Sequence, residues 1–347
     1  MSAASPPVHP APQGLLPWSE RRELADWLAA AGHGLREIHP LPGDVSTRRY
    51  FRLALDSLAL NSLALNTGSA ILAVYPPSQE KTCRRFAVTS GLLESVGVRV
   101  PRLLLTDCAR SWTLCEDVGD ETLHEWGEGR SWDELRPWYR QVIEPARAIA
   151  ALPHALVADL CPPLDLGLLE WELDKTWSTF VAPRGLAGGA EEETELRRAL
   201  SALCAAVAAV PAVPCHRDLT PRNLVPLAGG GVAFLDHQDL RLGPPLYDLA
   251  SLLNDTLFPP AELEDELLAA WGVTPDQRVD YHRVAAQRTF KAVGTYAGAA
   301  QQGKTRRLAL IPPTLARSLV HLAAAPETAH LAPRLAERWR PVIEGRA

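Results

Sequence analysis

Three polar side chains in the second half of the chain could together transfer a phosphoryl group. Asp218 is followed five positions later by Asn223, and Asp236 comes thirteen positions after that, at the end of an apolar run. A carboxylate can accept the hydrogen bond of an attacking hydroxyl, and amide and carboxylate oxygens are suitable ligands for Mg²⁺. Phosphoryl transfer depends on positioning and charge neutralisation more than on covalent chemistry. We therefore predict these three residues to be catalytic, with Asn223 and Asp236 as the magnesium ligands.

The segment around Asp218 resembles the catalytic loop of kinases. Residues 215–223 read Cys-His-Arg-Asp-Leu-Thr-Pro-Arg-Asn, which matches the pattern H-R-D-L-x-x-x-N. A short hairpin then leads to Asp236, the position of the second metal-binding acid of kinases. The next two residues are His-Gln instead of the Phe-Gly of protein kinases, a difference typical of kinases of the aminoglycoside phosphotransferase type. His216 and Asp248 are predicted to brace this loop.

Other segments resemble a narrower family, the bacterial cell-wall sugar kinases that phosphorylate the anomeric hydroxyl of N-acetylmuramate and N-acetylglucosamine. These segments are 42–52 (Pro-Gly-Asp-Val-Ser-Thr-Arg-Arg-Tyr-Phe-Arg), 170–177, 234–255 and 287–294. The resemblance implies an α+β, bilobal, protein-kinase-like fold, with a small antiparallel-sheet N-terminal lobe and a mostly helical C-terminal lobe. It also implies a kinase that uses ATP and Mg²⁺ and whose product, a sugar 1-phosphate, enters peptidoglycan recycling.

The same resemblance implies a nucleotide site. Backbone N–H groups and hydroxyls of the turn before Arg49 would hold the ATP phosphates, and the strand end near Glu116 would meet adenine. The implied ATP-binding residues are Gly43, Asp44, Ser46, Thr47, Arg49, Glu116 and Val118. Kinases usually carry a phosphate-binding Lys on the third strand, but residues 70–77 contain none. We expect Arg49 to replace it, with Arg48, Arg52 and Lys81 as alternatives.

Candidate sugar contacts follow from the same segments. Gln238 and Asp239 come directly after the predicted metal acid, and Glu172 and Trp177 lie on a predicted helix that resembles the family's substrate helix. Aromatic side chains suit the apolar faces of sugars. The predicted substrate residues are Asp218, Gln238, Asp239, Glu172, Trp177 and Arg288.

Composition limits the class of protein and its partners. A formal net charge of -6 argues against a protein held on nucleic acid. The partner that the resemblance implies is a small-molecule sugar. The six cysteines form no C-x-x-C pair and are spread like buried apolar residues, which indicates a reducing compartment. With neither a signal peptide nor a run of 18 apolar residues, a cytoplasmic protein without membrane contact is expected. We expect a monomer or a weak dimer.

The order of elements predicts two lobes. Residues 1–17 are expected to be a flexible N-terminus, 18–118 a nucleotide-binding lobe, and 119–347 a lobe with the catalytic loop and substrate site. Three near-identical pentads fill residues 53–67 (Leu-Ala-Leu-Asp-Ser and two variants), and they are predicted to lengthen a hairpin without a functional role.

Two other functions remain open from the sequence. The chain could phosphorylate another small alcohol, such as an aminoglycoside, choline or homoserine, and a cationic substrate would then require an acidic pocket. It could also be a non-catalytic nucleotide-binding module, for which the missing third-strand Lys is the only support. The presence of all three predicted catalytic groups argues against the second reading.

Overall fold

The computed structural model describes residues 16–41, 48–56 and 68–346. The described residues form two compact units. The first unit extends to Ala87 and includes Pro101–Gly119, and the second consists of Val88–Val100 and the chain from Asp120 onward.

The segment Val88–Val100 belongs to the second unit, whereas the sequence-based boundaries assigned it to the first. The physical reason is burial, because Leu93, Val98 and Val100 are part of the hydrophobic core of the second unit. The backbone N–H of Phe234, in the second unit, also donates to the carbonyl of Arg99 over 2.8 Å.

The first unit contains a five-stranded antiparallel sheet with the strand order β1-β2-β3-β5-β4. The strands are β1 (Leu35–Leu41), β2 (Arg49–Leu55), β3 (Ser69–Val74), β4 (Leu103–Asp107) and β5 (Trp112–Glu116). The first unit also contains helix α1 (Trp18–Ala30) and the first half of α2 (Glu80–Ser95), whose residues from Val88 onward belong to the second unit. Alternate residues of β2 are buried, since Phe51, Leu53 and Leu55 pack with the α1 residues Leu24 and Leu28.

The pentad repeat begins inside β2. Strands β2 and β3 pair with Ala54 opposite Ser69, so they are consecutive strands joined by the residues between them. Leu53 and Leu55 of the first pentad are buried core residues. The prediction that the repeat lengthens a hairpin falls largely on residues 57–67, which lie outside the described residues.

The second unit is mostly helical, and its α-helices run from α3 to α12. They are α3 (Leu123–Gly127), α4 (Trp132–Ala150), α5 (His154–Val157), α6 (Leu166–Thr176), α7 (Ala190–Ala208), α8 (Tyr247–Leu253), α9 (Ala261–Trp271), α10 (Gln277–Gln301), α11 (Ile311–Ala324) and α12 (Ala332–Ile343). No helix among the described residues combines the length and the apolar character that crossing a bilayer requires.

Two short antiparallel strand pairs interrupt the helices. Strand β6 (Val213–Cys215) pairs with β9 (Arg241–Gly243), and β7 (Leu224–Pro226) pairs with β8 (Val232–Phe234). The predicted catalytic loop follows β6 directly. The two pairs therefore fix both ends of the chain segment that carries the predicted catalytic residues.

Helices α6 and α10 approach closely at Gly294. A Cβ atom at this position would overlap the Cα and side chain of Thr176. The Thr176 hydroxyl instead donates to the carbonyl of Phe290 over 3.1 Å. This close packing brings the buried faces of the two helices together, including Glu172 on α6 and Lys291 on α10.

Candidate active site

The loop after β6 is held by Asp248 from the start of α8. Its two carboxylate oxygens accept hydrogen bonds from the backbone N–H groups of His216, over 2.6 Å, and Arg217, over 2.9 Å. Arg217 has a φ of 75°, a left-handed conformation that is uncommon outside glycine and clusters at functional sites. The prediction that Asp248 braces the loop is confirmed. His216 is fully buried beside the ring of Phe234.

The β7–β8 hairpin places Asn223 and Asp236 at the same end. The register pairs Leu224 with Phe234, and the backbone N–H of Leu235 donates to the carbonyl of Asn223 over 2.8 Å. Asn223 is therefore one residue, and Asp236 two residues, beyond the paired strands. The side-chain Nδ2 of Asn223 also donates to the backbone carbonyl of Asp218 over 2.7 Å. These contacts join Asn223 to the peptide of Asp218 and to Leu235, the residue before Asp236.

Asp236 also has a left-handed backbone, with a φ of 58°. Its Oδ1 accepts a hydrogen bond from Nε2 of the buried Gln238 over 3.0 Å. The next residue, His237, is fully buried, and its Nδ1 is hydrogen-bonded to the hydroxyl of Thr89 over 2.8 Å. The backbone turn at Asp236 is therefore fixed by the next two residues, His237 and Gln238, which are both buried.

Arg217 lies between three carboxylates. Its Nη1 is 3.2 Å from Oδ2 of Asp239 and 3.7 Å from Oδ2 of Asp218. Its Nη2 is 3.4 Å from Oε1 of Glu172. Since the Asp218 side chain is 30% exposed, it can still meet a substrate, whereas Arg217 holds it from one side.

The charge of Asp218 is stabilised by its surroundings. Burial raises its pKa, but the positive charges of Arg217 and Lys291 outweigh burial and hold the pKa of Asp218 below the usual range. The carboxylate is therefore ionised throughout the neutral pH range. An ionised carboxylate is the form that accepts a hydrogen bond from a hydroxyl.

Glu172 is a buried anchor for two cations. Its side chain is 2% exposed, and its Oε1 lies 3.3 Å from Nζ of Lys291 and 3.4 Å from Arg217. Gln287 Nε2 donates to its Oε2 over 3.1 Å. Burial raises the pKa of Glu172, but the charges of Lys291 and Arg217 lower it more, so the net pKa is lowered.

Arg288 has different partners from those of Arg217. It is buried, donates through Nε to the Ser251 hydroxyl over 3.1 Å, and lies 3.6 Å from Asp255. Asp255 in turn pairs with Arg222 of the catalytic loop, with 3.0 Å between Nη2 and Oδ1. Arg288 therefore contacts Ser251 and Asp255, and through Asp255 it is linked to Arg222 of the loop.

Asn223 and Asp236 carry amide and carboxylate oxygens, the types of ligand that Mg²⁺ prefers. The hydrogen bond from Nδ2 to Asp218 orients the Asn223 amide, so that Oδ1 is the atom that can bind a cation. In the described part of the chain, no three His, Cys, Asp or Glu side chains form a group that could hold a metal. Mg²⁺ needs only one or two protein ligands, because water and phosphate oxygens complete its shell.

Among the predicted nucleotide-binding residues, Gly43, Asp44, Ser46 and Thr47 lie outside the described residues. In the first unit, Arg49 Nη2 pairs with Glu20 over 2.8 Å at an exposed position. Arg52 makes two hydrogen bonds to the buried Asp117, the shorter over 2.6 Å. The Arg48 guanidinium lies over the rings of Tyr50 and Tyr75, 5.8 and 5.7 Å from their centroids.

The predicted adenine-binding stretch is the end of β5. The N–H of Glu116 donates to the carbonyl of Arg102 over 2.9 Å, and its carboxylate accepts from the backbone N–H of Arg102 over 3.2 Å. Val118 is half-buried. Asp117, between them, accepts hydrogen bonds from Arg52 and from the hydroxyl of Ser69.

Trp177 lies in the hydrophobic core of the second unit. Its ring is covered by the guanidinium of Arg197, 3.8 Å from the ring centroid. It begins the π-helical turn Trp177–Val181 that extends α6, and such turns are frequent at functional sites. The contacts described above therefore connect Asp218, Asp239 and Glu172, while Trp177 has its own separate neighbours.

Comparison with protein families gives a match to the phosphotransferase enzyme family over residues 37–286. The matched range covers well over half of the chain and includes the loop, the hairpin and most of the helices that hold them. This chain belongs to the phosphotransferase enzyme family. The family resemblance drawn from the catalytic loop motif is confirmed.

Curated relatives of this phosphotransferase include two bacterial kinases. The chain is 31% identical to an N-acetylmuramate/N-acetylglucosamine kinase of Pseudomonas aeruginosa over 317 residues, which cover 86% of this chain and 88% of that protein. It is 28% identical to a protein of the same name from Caulobacter vibrioides, over 85% of this chain and 90% of that protein.

A solved structure supports the same fold for the phosphotransferase. The GDP complex of aminoglycoside 2'-phosphotransferase-IIIa matches with a TM-score of 0.62 and 13% identity, over 88% of this chain and 98% of that chain. At this identity the likeness concerns the fold alone. The predicted α+β fold of the aminoglycoside phosphotransferase type is confirmed.

Two residues at the centre of the phosphotransferase's charged network were missed in the sequence. Arg217 was treated as part of a motif and not as a contact of Asp218, and Lys291 was not singled out. A signal was available, because Lys291 lies four positions after Gln287 and three after Arg288, so its side chain shares one side of α10 with both. Polar residues on the buried side of a long helix need partners, which here include Glu172.

Proposed function

We propose that this phosphotransferase uses ATP and Mg²⁺ to phosphorylate the anomeric hydroxyl of N-acetylmuramate, N-acetylglucosamine or both. The product would be a sugar 1-phosphate that enters peptidoglycan recycling. The observation that carries this proposal is the similarity to the Pseudomonas aeruginosa kinase along nearly the whole length of both proteins. The GDP in the related aminoglycoside kinase structure supports the use of a nucleotide as phosphate donor.

In this proposal Asp218 is the base. Its carboxylate accepts the hydrogen bond of the anomeric hydroxyl and takes the proton as the new oxygen–phosphorus bond forms. At the same time the bond between the γ-phosphorus and the bridging oxygen of ATP breaks, and ADP leaves. Asn223 and Asp236 would hold Mg²⁺, which when bound neutralises phosphate charge. Arg217 keeps Asp218 ionised and holds it in place, because its guanidinium contacts Asp218 and is itself fixed by Glu172.

Glu172 acts in this proposal through its neighbours and not on the sugar. A side chain that is 2% exposed and contacted by Arg217, Lys291 and Gln287 has little surface left for a ligand. Gln238 likewise is buried and holds Asp236. Asp239, which is 28% exposed, remains a proposed sugar contact.

The charge balance of the second unit supports a sugar over a cationic substrate. Glu172 and Asp239 each lie within salt-bridge distance of Arg217, and Glu172 also pairs with Lys291. These carboxylates are therefore neutralised by cations of the chain itself. An aminoglycoside or a choline would require acidic groups that are not already paired in this way.

The proposed donor site includes Arg49. Its ion pair with Glu20 is exposed, and such pairs contribute only about 0.5 kcal/mol, so a triphosphate could displace Glu20 at little cost. Arg52 is a weaker candidate, since removing it from Asp117 would leave a buried carboxylate without its cation. Gly43, Asp44, Ser46 and Thr47 are proposed to contact the phosphates, and Glu116 and Val118 the adenine.

The test is a ³¹P NMR screen of the purified chain with ATP, MgCl₂ and a panel of acceptors. The panel contains N-acetylmuramate, N-acetylglucosamine, glucose, choline and kanamycin, together with the methyl glycoside of N-acetylglucosamine, whose anomeric oxygen is blocked. We expect a sugar 1-phosphate from the free amino sugars and none from the glycoside. Phosphorylation of the glycoside, or of choline or kanamycin alone, would overturn the proposal.

A further inference from the structure

Two cysteines of the first unit have their sulfur atoms in contact. Cys83, on α2, and Cys108, directly after β4, lie with 2.7 Å between their Sγ atoms. Cys83 is fully buried, whereas Cys108 is half-buried. The pair packs in a small cluster with Ala73, Tyr75 and Tyr50.

The contact is closer than two unbonded sulfur atoms usually approach, although both cysteines are free. A disulfide bond is about 2.05 Å long, so once oxidised the two sulfur atoms would need to approach only slightly further. The pair is also separated by 25 positions in the chain, so the fold and not the local sequence brings the thiols together. We propose that Cys83 and Cys108 form a reversible disulfide that fastens helix α2 to strand β4.

The reaction would proceed by exchange with a small-molecule disulfide. The half-buried Cys108 thiolate attacks one sulfur of the oxidant, which releases one small thiol and leaves a mixed disulfide on Cys108. The Cys83 sulfur then attacks Sγ of Cys108 and releases the second small thiol, which takes the proton of Cys83. Two protein thiols are thus oxidised to one disulfide, while one small disulfide is reduced to two thiols.

Accessibility assigns the two roles. Burial and the neighbouring Cys108 raise the pKa of Cys83 to about 12, so Cys83 is a poor first nucleophile. In the second step its sulfur is already in contact with its target, and this proximity offsets a low thiolate fraction. In a reducing environment both residues remain thiols, as is usual for pairs that respond to oxidation.

The experiment treats the folded, full-length chain with oxidised glutathione and then counts free thiols after denaturation at acid pH. We expect the count to fall from six to four and to return to six with dithiothreitol. Peptide mapping should find the crosslink between the peptides of Cys83 and Cys108. Six remaining thiols, a glutathione retained on Cys108, or a crosslink elsewhere would each overturn the proposal.

Three variants separate the two steps. Cys83→Ala should retain one glutathione on Cys108, because no neighbouring thiol can displace it. Cys108→Ala should keep all its five thiols, since Cys83 is buried. The matched control Cys204→Ala, which removes a buried cysteine of the second unit, should still lose two thiols. The peptide map of the unchanged chain remains decisive if a variant does not fold.

Discussion

The side-chain amide of Asn223 donates a hydrogen bond to the backbone carbonyl of Asp218 over 2.7 Å. This contact joins a proposed metal ligand to the peptide of the proposed base. It also fixes the orientation of the amide. Nδ2 holds the carbonyl of Asp218, and Oδ1 is then available for the proposed Mg²⁺. A carboxylate at position 223 could keep the metal-binding oxygen but could not donate this hydrogen bond.

Two substitutions at position 223 should therefore differ. Asn223→Ala is expected to raise the Mg²⁺ concentration for half-maximal activity at least about tenfold, because it removes the metal-binding oxygen. Asn223→Asp should retain Mg²⁺ binding and lose kcat, since the hydrogen bond to the carbonyl of Asp218 is replaced by repulsion between two oxygen atoms. Steady-state kinetics over a Mg²⁺ titration measures both effects. Equal Mg²⁺ dependence in the two variants would contradict the proposal that Asn223 both binds the metal and holds the Asp218 peptide. Asp133→Ala, at a fully exposed acid, serves as the control.

The pH dependence of activity should reflect the low pKa of Asp218. Because the folded protein holds this pKa below the usual Asp value of about 3.9, loss of activity from its protonation should occur only below about pH 4. Replacing Lys291 with Met removes one of the charges that lower the pKa. The acid limb of kcat/KM should then move upward by about one pH unit. An unchanged acid limb in Lys291→Met would refute this electrostatic role.

Glu172→Gln should destabilise the protein most at neutral pH. The buried, ionised carboxylate pairs with Arg217 and Lys291, and breaking such a pair costs about 3 kcal/mol. The folded-state pKa of Glu172 is lowered, so its contribution is present above the unfolded value of about 4.3 and is lost as pH falls through the folded pKa. Urea unfolding at pH 7 and in acid measures this, and a difference between the two proteins that does not shrink in acid would contradict the assignment.

Two glycines of α10 provide a matched pair for the packing against α6. Gly294→Ala should cost about 2 kcal/mol and lower kcat, because the new methyl group would collide with the backbone of Thr176. Gly298→Ala should be tolerated or slightly stabilising, since its methyl group would meet Thr179 at 3.4 Å, an ordinary contact distance. Thermal unfolding of both variants tests this difference. Equal stability of the two would show that the close approach at Gly294 is unimportant.

Local sequence patterns predicted the helices and the catalytic loop well. Apolar residues recur at helical spacing over 18–31 and 132–152, which predicts a helix in each segment, and the structure has α1 at Trp18–Ala30 and α4 at Trp132–Ala150. The spacing of apolar residues within a single segment is enough to predict such helices. Asp248 was also assigned correctly as a brace, although it lies some thirty positions from the loop.

Other features depend on contacts between distant segments and were not predicted. The pairing of β6 with β9 involves three-residue strands, which are too short to show a periodic pattern. Residues 88–100 belong to the second unit because Leu93, Val98 and Val100 are buried in its hydrophobic core. The ion pair between Glu172 and Lys291 joins positions 119 residues apart, so neither side chain indicates the other in the sequence.

The most direct test of the proposed chemistry is the Asp218→Asn variant, measured for both phosphoryl transfer and ATP binding. Asparagine has nearly the same size and cannot accept a proton, so the fold and nucleotide affinity should be retained. We predict that the rate of sugar phosphate formation, followed by ³¹P NMR with N-acetylmuramate or N-acetylglucosamine, falls at least about 100-fold. Turnover equal to that of the unchanged chain, with ATP bound normally, would contradict Asp218 as the base.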